Sequence, residues 1–243
     1  MTKLKNMLTV VAALEQELSG IRQVLRGRKS LPVDLQVIGV GKKQAQASVV
    51  RILDERRWSP GNSLLLLGFA GGLDPALKAG DLLVPTSYYR ESGDLLSADT
   101  GMWQHARLAA AESAIPVVQG NSLTVEEVVA TPQDKKELYR QHQVGSVNME
   151  DYWVAEVAAE VEVPFLAVRA ILDPVYQELP YYVQRLAGRP VKAALMATVS
   201  PWYIPALVKL AGTRNAAQSR LTRFALAFIN HQLAMALHRP STI

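Results

Sequence analysis

The sequence predicts an α/β fold: a single domain with a central mixed, largely parallel sheet covered by helices. Three observations predict it. Runs of β-branched and leucine-rich residues alternate with segments of helical periodicity along most of the chain, the order that builds parallel strands joined by crossover helices. Ser63–Phe69 (SLLLLGF) is apolar without alternation, as a strand buried on both faces is. Hydrophobic residues make up 49% of the 243, enough for a sizeable core and too many for global disorder.

In chain order, Met7–Ala13 reads as a first buried strand. Two lysines precede it in a faint signal-peptide shape, but Glu15 and Glu17 interrupt the apolar run too early. Leu14, Leu18, Ile21 and Leu25 then share one helical face. Leu35–Val40 is a second strand, followed by Gly39–Lys43 and a helix with Ala45, Val49, Ile52 and Leu53 inward. Ser63–Phe69 ends in a turn over Ala70–Pro75, and Asp81–Pro85 starts another extended segment. Tyr88–Gly101 is polar and reads as a loop. Trp103–Ala114 is helical by composition, Val117–Val125 extended, and Pro132–His142 a helix with Pro in its first turn. Apolar residues at Val154, Val157, Ala158 and Val161 mark a helix, and Val163–Ile171 a buried strand broken only by Arg169. Prolines and aromatics, among them Tyr181, Tyr182, Trp202 and Tyr203, punctuate the chain after Asp173. Val191–Leu210 is strongly apolar but too interrupted to be a transmembrane helix. Asn215–Leu237 is a long helix.

Composition bounds the chemistry. There is no cysteine, which excludes disulfides, thiolate metal sites and a Cys nucleophile and fits a reducing cytoplasm. The four His show no metal-ligand spacing, so no metal site is expected. The net charge of +4 hides an asymmetry: residues 179–243 hold eight of the 26 Lys and Arg and no Asp or Glu. Residues 179–243 thus read as an apolar, basic, helical extension, with contact to a membrane surface one use for it. Nucleic acid is a poorer partner, because no Lys/Arg run is interleaved with recognition residues.

Several stretches can carry chemistry, each with a plainer alternative. Gly71 and Gly72 follow a buried strand, where paired glycines let backbone amides approach a ligand or simply make a tight turn. Gly41 and Lys42 offer a helix N-terminus to an anion, or only a strand–helix turn. Glu150 suits a helix N-terminus by charge alone, yet its carboxylate can also accept both hydroxyls of a ribose. Asp173, before Pro174, is a turn residue or, if sequestered, a proton donor to a leaving group. Arg169 needs a partner inside its apolar strand, and Asp173 or Glu150 can supply it.

Taken together, Ala13-Leu14-Glu15-Gln16-Glu17, Gly68–Leu73 leading to Gly80-Asp81, Asn148-Met149-Glu150 and Val168–Asp173 resemble the purine nucleoside phosphorylase and methylthioadenosine/adenosylhomocysteine nucleosidase superfamily. The resemblance covers roughly residues 7–175, with the four motifs in the expected order. It implies a nucleoside phosphorylase-like domain over 1–243 that cleaves the N-ribosidic bond of a purine nucleoside, adenine-bearing by preference, without a cofactor. It implies Glu150 and Asp173 as catalytic residues: Glu150 holding the ribose hydroxyls and Asp173 protonating N7 of the departing purine. Met149 would lie against the sugar, Arg169 would position Asp173, and Val128 and Val129 would line the base pocket, with Phe69 and Gly71 also at the substrate. A homo-oligomer is the implied assembly.

Two departures bear on the reaction. In the nucleosidases the position of Gln16 carries a Glu that prepares the attacking water, and a serine usually stands at Phe69. Phosphate needs no base, so phosphorolysis with inorganic phosphate as co-substrate is the expected reaction, its anion pocket drawn from Gly41, Lys42 and the Gly71–Gly72 amides. Hydrolysis, with Glu15 or Glu17 as base, is the alternative, and a non-catalytic nucleoside- or lipid-binding protein a third reading. The sequence is also similar to the hopanoid-associated phosphorylases in Gly68–Leu77, in Leu172-Asp173-Pro174 and in its apolar basic end, which implies an adenosylhopane-like substrate and a cytoplasmic protein associated with the membrane.

Overall fold

Ser63–Gly72, strand β3, is the spine of the computed structural model, which describes residues 7–28, 31–55, 61–179 and 204–238. Leu64, Leu65, Leu66 and Leu67 are all fully buried, because side chains alternate across a strand and both faces of this one are covered. Around it lie β1 (Leu8–Ala12), β2 (Val33–Val37), β4 (Leu82–Arg90), β5 (Leu95–Ser97), β6 (Val117–Thr124), β7 (Ser146–Asn148) and β8 (Phe165–Asp173). The helices are α1 (Glu15–Leu25), α2 (Lys42–Glu55), α3 (Thr100–Glu112), α4 (Pro132–His142), α5 (Asp151–Glu160) and α6 (Ile204–His238).

The eight strands form one mixed sheet in the order β2-β1-β3-β7-β6-β4-β5, with β8 bridging β3 and β4. β8 runs parallel to β3 and antiparallel to the start of β4. β6 is parallel to both β4 and β7, and β7 closes antiparallel on the end of β3. The strands β3, β8, β4, β6 and β7 therefore make a closed circuit, which brings the last residues of β3, β7 and β8 to one rim. The functional cleft lies at that rim.

Two cores flank the sheet. Val11, Ala45, Val49, Ile52, Trp153, Val157 and Phe165 fill the side under α2 and α5. Val10, Leu18, Ile21, Leu65, Met102, Val168, Phe224 and Phe228 fill the other, under α1, α3 and α6. Helix α6 is thus part of this α/β fold, packed against β8, α1 and α3.

Several boundaries differ from the sequence-based expectation. β3 does not turn at Ala70 but continues through Gly71 and Gly72, because β7 and β8 pair with it there. The polar stretch from Tyr88 is not a loop: β4 runs to Arg90 and pairs with β5 as a hairpin. Tyr88 is buried, and its hydroxyl accepts the amide of Ala167 at 2.9 Å. Asp173 is the last residue of its strand rather than one beyond it. The apolar 191–203 stretch and the aromatics Tyr181, Tyr182, Trp202 and Tyr203 lie outside the described residues. Among the described residues, no helix is long and apolar enough to cross a membrane.

Phe224 is fully buried and stacks on Phe228 with ring centroids 6.2 Å apart. Phe224→Ala should lower the free energy of unfolding by about 3–5 kcal/mol, read from urea denaturation. A loss under about 1 kcal/mol would mean that α6 does not cover the sheet.

Candidate active site

A cavity of about 220 Å³ opens at the rim where β3, β7 and β8 end. Glu17, Phe69, Gly71, Val128, Val129, Met149, Glu150 and Asp173 all line it, with Leu172 and Leu179 beside Asp173. Four carboxylates face this space (Glu17, Glu127, Glu150 and Asp173), and none of the described residues lining it is Lys, Arg or His.

The geometry starts from Arg169. It is fully buried in β8, and a guanidinium there requires oxygen partners. Its Nε lies 2.9 Å from Asp151 Oδ1, its Nη2 2.7 Å from the same oxygen and 3.2 Å from Glu150 Oε2, and its Nη1 3.2 Å from the Phe69 carbonyl oxygen. Asp151 accepts further bonds from Ser122 Oγ at 2.7 Å and Asn148 Nδ2 at 2.8 Å. Asn148 Oδ1 in turn accepts the amides of Glu150 at 3.0 Å and Asp151 at 2.8 Å, which satisfies two backbone donors where α5 begins. Gly68 is required beside this group, because a Cβ there would collide with the guanidinium. Burial works against the Arg169 charge, but Asp151 and Glu150 more than restore it, and its pKa is raised.

Arg169 therefore does not position Asp173. Four residues along an extended strand separate the two Cα atoms by about 13 Å, and the carboxylates at the start of α5 are nearer. Asp151, absent from the sequence-based candidates, is its main partner.

Glu150 accepts the Gly41 amide on Oε1 at 3.1 Å and Arg169 on Oε2. Burial pushes its pKa up. Each of its oxygens keeps a lone pair for the cavity, as holding a diol requires. The expected anion pocket is not formed by this geometry. The Gly41 amide is used by Glu150, Lys42 Nζ lies 4.3 Å from the centroid of the Trp153 ring, and Gly71 and Gly72 are ladder residues of β3.

Gln16 does not line the cavity; the neighbouring Glu17 does. Helical geometry decides this, since successive positions point about 100° apart. Glu17 is buried, with Oε2 accepting the Leu14 amide at 2.8 Å and Oε1 the Phe69 amide at 2.8 Å. Burial raises its pKa from 4.5 to about 7, against the opposing pull of Arg169. Glu15 instead pairs with Arg22 at 2.7 Å on the exposed side.

Asp173 is also buried in the cavity lining, where burial raises its pKa from 3.8 to about 6 while Lys135 pulls it down. Lys135, on α4, sits 2.5 Å from Asp173 Oδ2. Sequence reasoning misses it, because Lys135-Lys136 on a polar helix reads as a solvated pair. Among the described residues, no group of three or more His, Asp or Glu could hold a metal ion.

These carboxyls make stability fall with rising pH. Glu17 and Asp173 ionise in the unfolded chain near 4.5 and 3.8 but in the fold near 7 and 6. Each therefore contributes stability that is full below its ordinary value and lost as pH rises through its folded one. Urea midpoints should be higher at pH 5 than at pH 8, and Asp173→Asn should narrow the gap. A midpoint that rises from pH 5 to pH 8 contradicts this.

The comparisons agree with the geometry. The family model described as the phosphorylase superfamily matches residues 12–199. The 5′-methylthioadenosine/S-adenosylhomocysteine nucleosidase of Bacillus subtilis is 26% identical over 199 residues, covering 68% of this chain and 85% of the relative. That of Psychromonas ingrahamii is 28% identical over 194 residues, covering 70% and 78%. Among solved structures, the Helicobacter pylori nucleosidase with butyl-thio-DADMe-Immucillin-A superposes with a TM-score of 0.73 at 16% identity, covering 94% of this chain and 99% of that one. The futalosine hydrolase of the same organism gives 0.74 at 15%, with the same coverage. A closed-circuit mixed sheet, a carboxylate-lined cleft at its rim and a family match over most of its length establish that this chain belongs to the phosphorylase superfamily.

Proposed function

We propose that this enzyme hydrolyses the N-ribosidic bond of a purine nucleoside, with adenine the favoured base. The observation that carries the reading is the cavity itself: four carboxylates face it, and no described lining residue is a cation. A phosphorylase has to hold an anionic nucleophile, which such a wall repels. Water is neutral and needs only a base, and Glu17 stands in the wall with a pKa near 7. Hydrolysis thus displaces phosphorolysis as the better-supported reaction, and the nucleosidases among the relatives support the same choice. The aromatic, proline-broken stretch that motivates a hopanoid substrate lies outside the described residues, so that reading gains no support from the structure.

Each side chain has a part. Glu150 accepts the ribose hydroxyls, with Met149 against the sugar. Val128, Val129 and Phe69 supply apolar surface for the substrate. Glu17 takes a proton from water as its oxygen bonds to C1′. The C1′–N9 bond breaks, its electron pair passes into the purine, and Asp173 delivers a proton to N7. The products are the neutral base and the free sugar, with Glu17 protonated and Asp173 ionised until solvent exchange restores them. Neutralising the leaving base is the costly demand, so Asp173 carries the larger share.

The two groups make opposite demands on pH. Glu17 must be ionised although it titrates near 7, and Asp173 must be protonated although it titrates near 6. At any pH only a minority of molecules meet both, and kcat/KM should follow a bell with its maximum between those values.

The test is adenine release from methylthioadenosine and adenosylhomocysteine, with and without phosphate. Release should be independent of phosphate, and Glu17→Gln or Asp173→Asn should each lower kcat by roughly 100- to 10,000-fold. Release that requires phosphate, or Asp173→Asn with near-normal turnover, contradicts the reading.

A further inference from the structure

Lys135 is fully buried, and its surroundings go beyond a simple ion pair. Besides Asp173 Oδ2 at 2.5 Å, its Nζ lies 2.8 Å from the Gln177 carbonyl oxygen and 3.3 Å from those of Asp173 and Pro174. Four oxygens around one nitrogen suit an ammonium, all three of whose protons donate. A buried cation persists only where such oxygens replace its water. The carbonyl partners belong to the segment that leads on from β8. That segment is closed by Gln177 N to the Pro174 oxygen at 2.8 Å and by Leu179 N to the Ala130 oxygen at 2.9 Å. It brings Leu179 into the cavity wall beside Leu172 and Asp173.

We propose that Lys135 is the positioning residue of the general acid: one ammonium aims the Asp173 carboxyl at the cavity and fastens it to the Pro174–Leu179 wall, so that acid and wall move together. The inference rests on the nucleosidase reading. A carboxyl held only by burial is free to rotate away from N7 and is too weak an acid to give up its proton readily. Lys135 opposes both tendencies. It favours the ionised form that remains once the proton has left, and the short contact fixes the oxygens. The other charged groups near Asp173 do not replace it. Glu17 on α1, Glu150 before α5 and Glu127 between β6 and α4 are all acidic, and Arg169, on β8 itself, is taken up by Asp151 and Glu150.

The test compares wild type with Lys135→Met by two readouts. One is adenine release from methylthioadenosine across pH; the other is the NMR titration of the Asp173 carboxyl carbon, identified with Asp173→Asn. Without the ammonium, the Asp173 titration should move up by about 1–3 units. Where that carries the Asp173 value above the Glu17 value near 7, the alkaline limb of kcat/KM should move up with it, and maximal kcat should fall on the order of a hundredfold through lost aim. In wild type, the Lys135 ammonium signal should shift with the same midpoint as the Asp173 carbon. A Lys135→Met protein with a lower melting temperature but an unmoved titration and limb overturns the proposal and leaves Lys135 merely structural. If that variant does not fold, a wild-type ammonium signal that ignores the Asp173 titration overturns it equally. Should wild type release no base from any nucleoside while the two signals still titrate together, the nucleosidase reading is what fails.

Discussion

A guanidinium sealed inside a strand sets the terms for everything around it. Arg169 is fully buried, so the chain must bring oxygens to it from three directions: Phe69 on β3, Glu150 and Asp151 at the start of α5, and Asn148 at the end of β7. These contacts tie three strands and one helix N-terminus into a single network. Such a group is unforgiving, because removing one partner leaves a buried charge uncompensated, at a cost of about 3–5 kcal/mol. Fully satisfied, it fixes Glu150 in the cavity wall and holds Phe69 where its amide meets Glu17.

From that network the division of labour among the carboxylates emerges. The three buried ones that line the cavity are shifted upward by burial, yet each has a different restraint: backbone amides for Glu17, Arg169 and an amide for Glu150, and Lys135 for Asp173. One fold thereby holds a candidate base, a candidate hydroxyl acceptor and a candidate acid within a single small space. Neighbours, rather than residue type, separate their roles. The same crowding of negative charge shapes the choice of nucleophile. In the proposed reaction it disfavours an anionic nucleophile and favours water.

Much of the fold is legible in the sequence because it obeys local pattern. Pro132–His142 is readable to the residue from its proline and the polar run behind it, and the leucine run announces β3. The features that escape depend on pairing at long range. Gly71 and Gly72 look like a turn until β7 and β8 are beside them. The polar residues after Tyr88 look like a loop until the hairpin forms over Phe165. The site divides the same way. Glu150, Met149 and Asp173 stand out in recognisable motifs, Val128 and Val129 follow from a looser alignment, and the structure gathers them round one cavity. Counting positions within a motif favours Gln16 over Glu17, an error that one helical step corrects. Asp151 and Lys135 carry no local mark, since only tertiary contacts distinguish a buried charged side chain from a solvated one.

The central claim is that water, not phosphate, takes the sugar. Turnover of methylthioadenosine in heavy-oxygen water, with phosphate present, tests it directly by mass spectrometry of the sugar product. Hydrolysis predicts a free sugar carrying one heavy oxygen at C1 and an unlabelled base. A sugar 1-phosphate free of the label would contradict it.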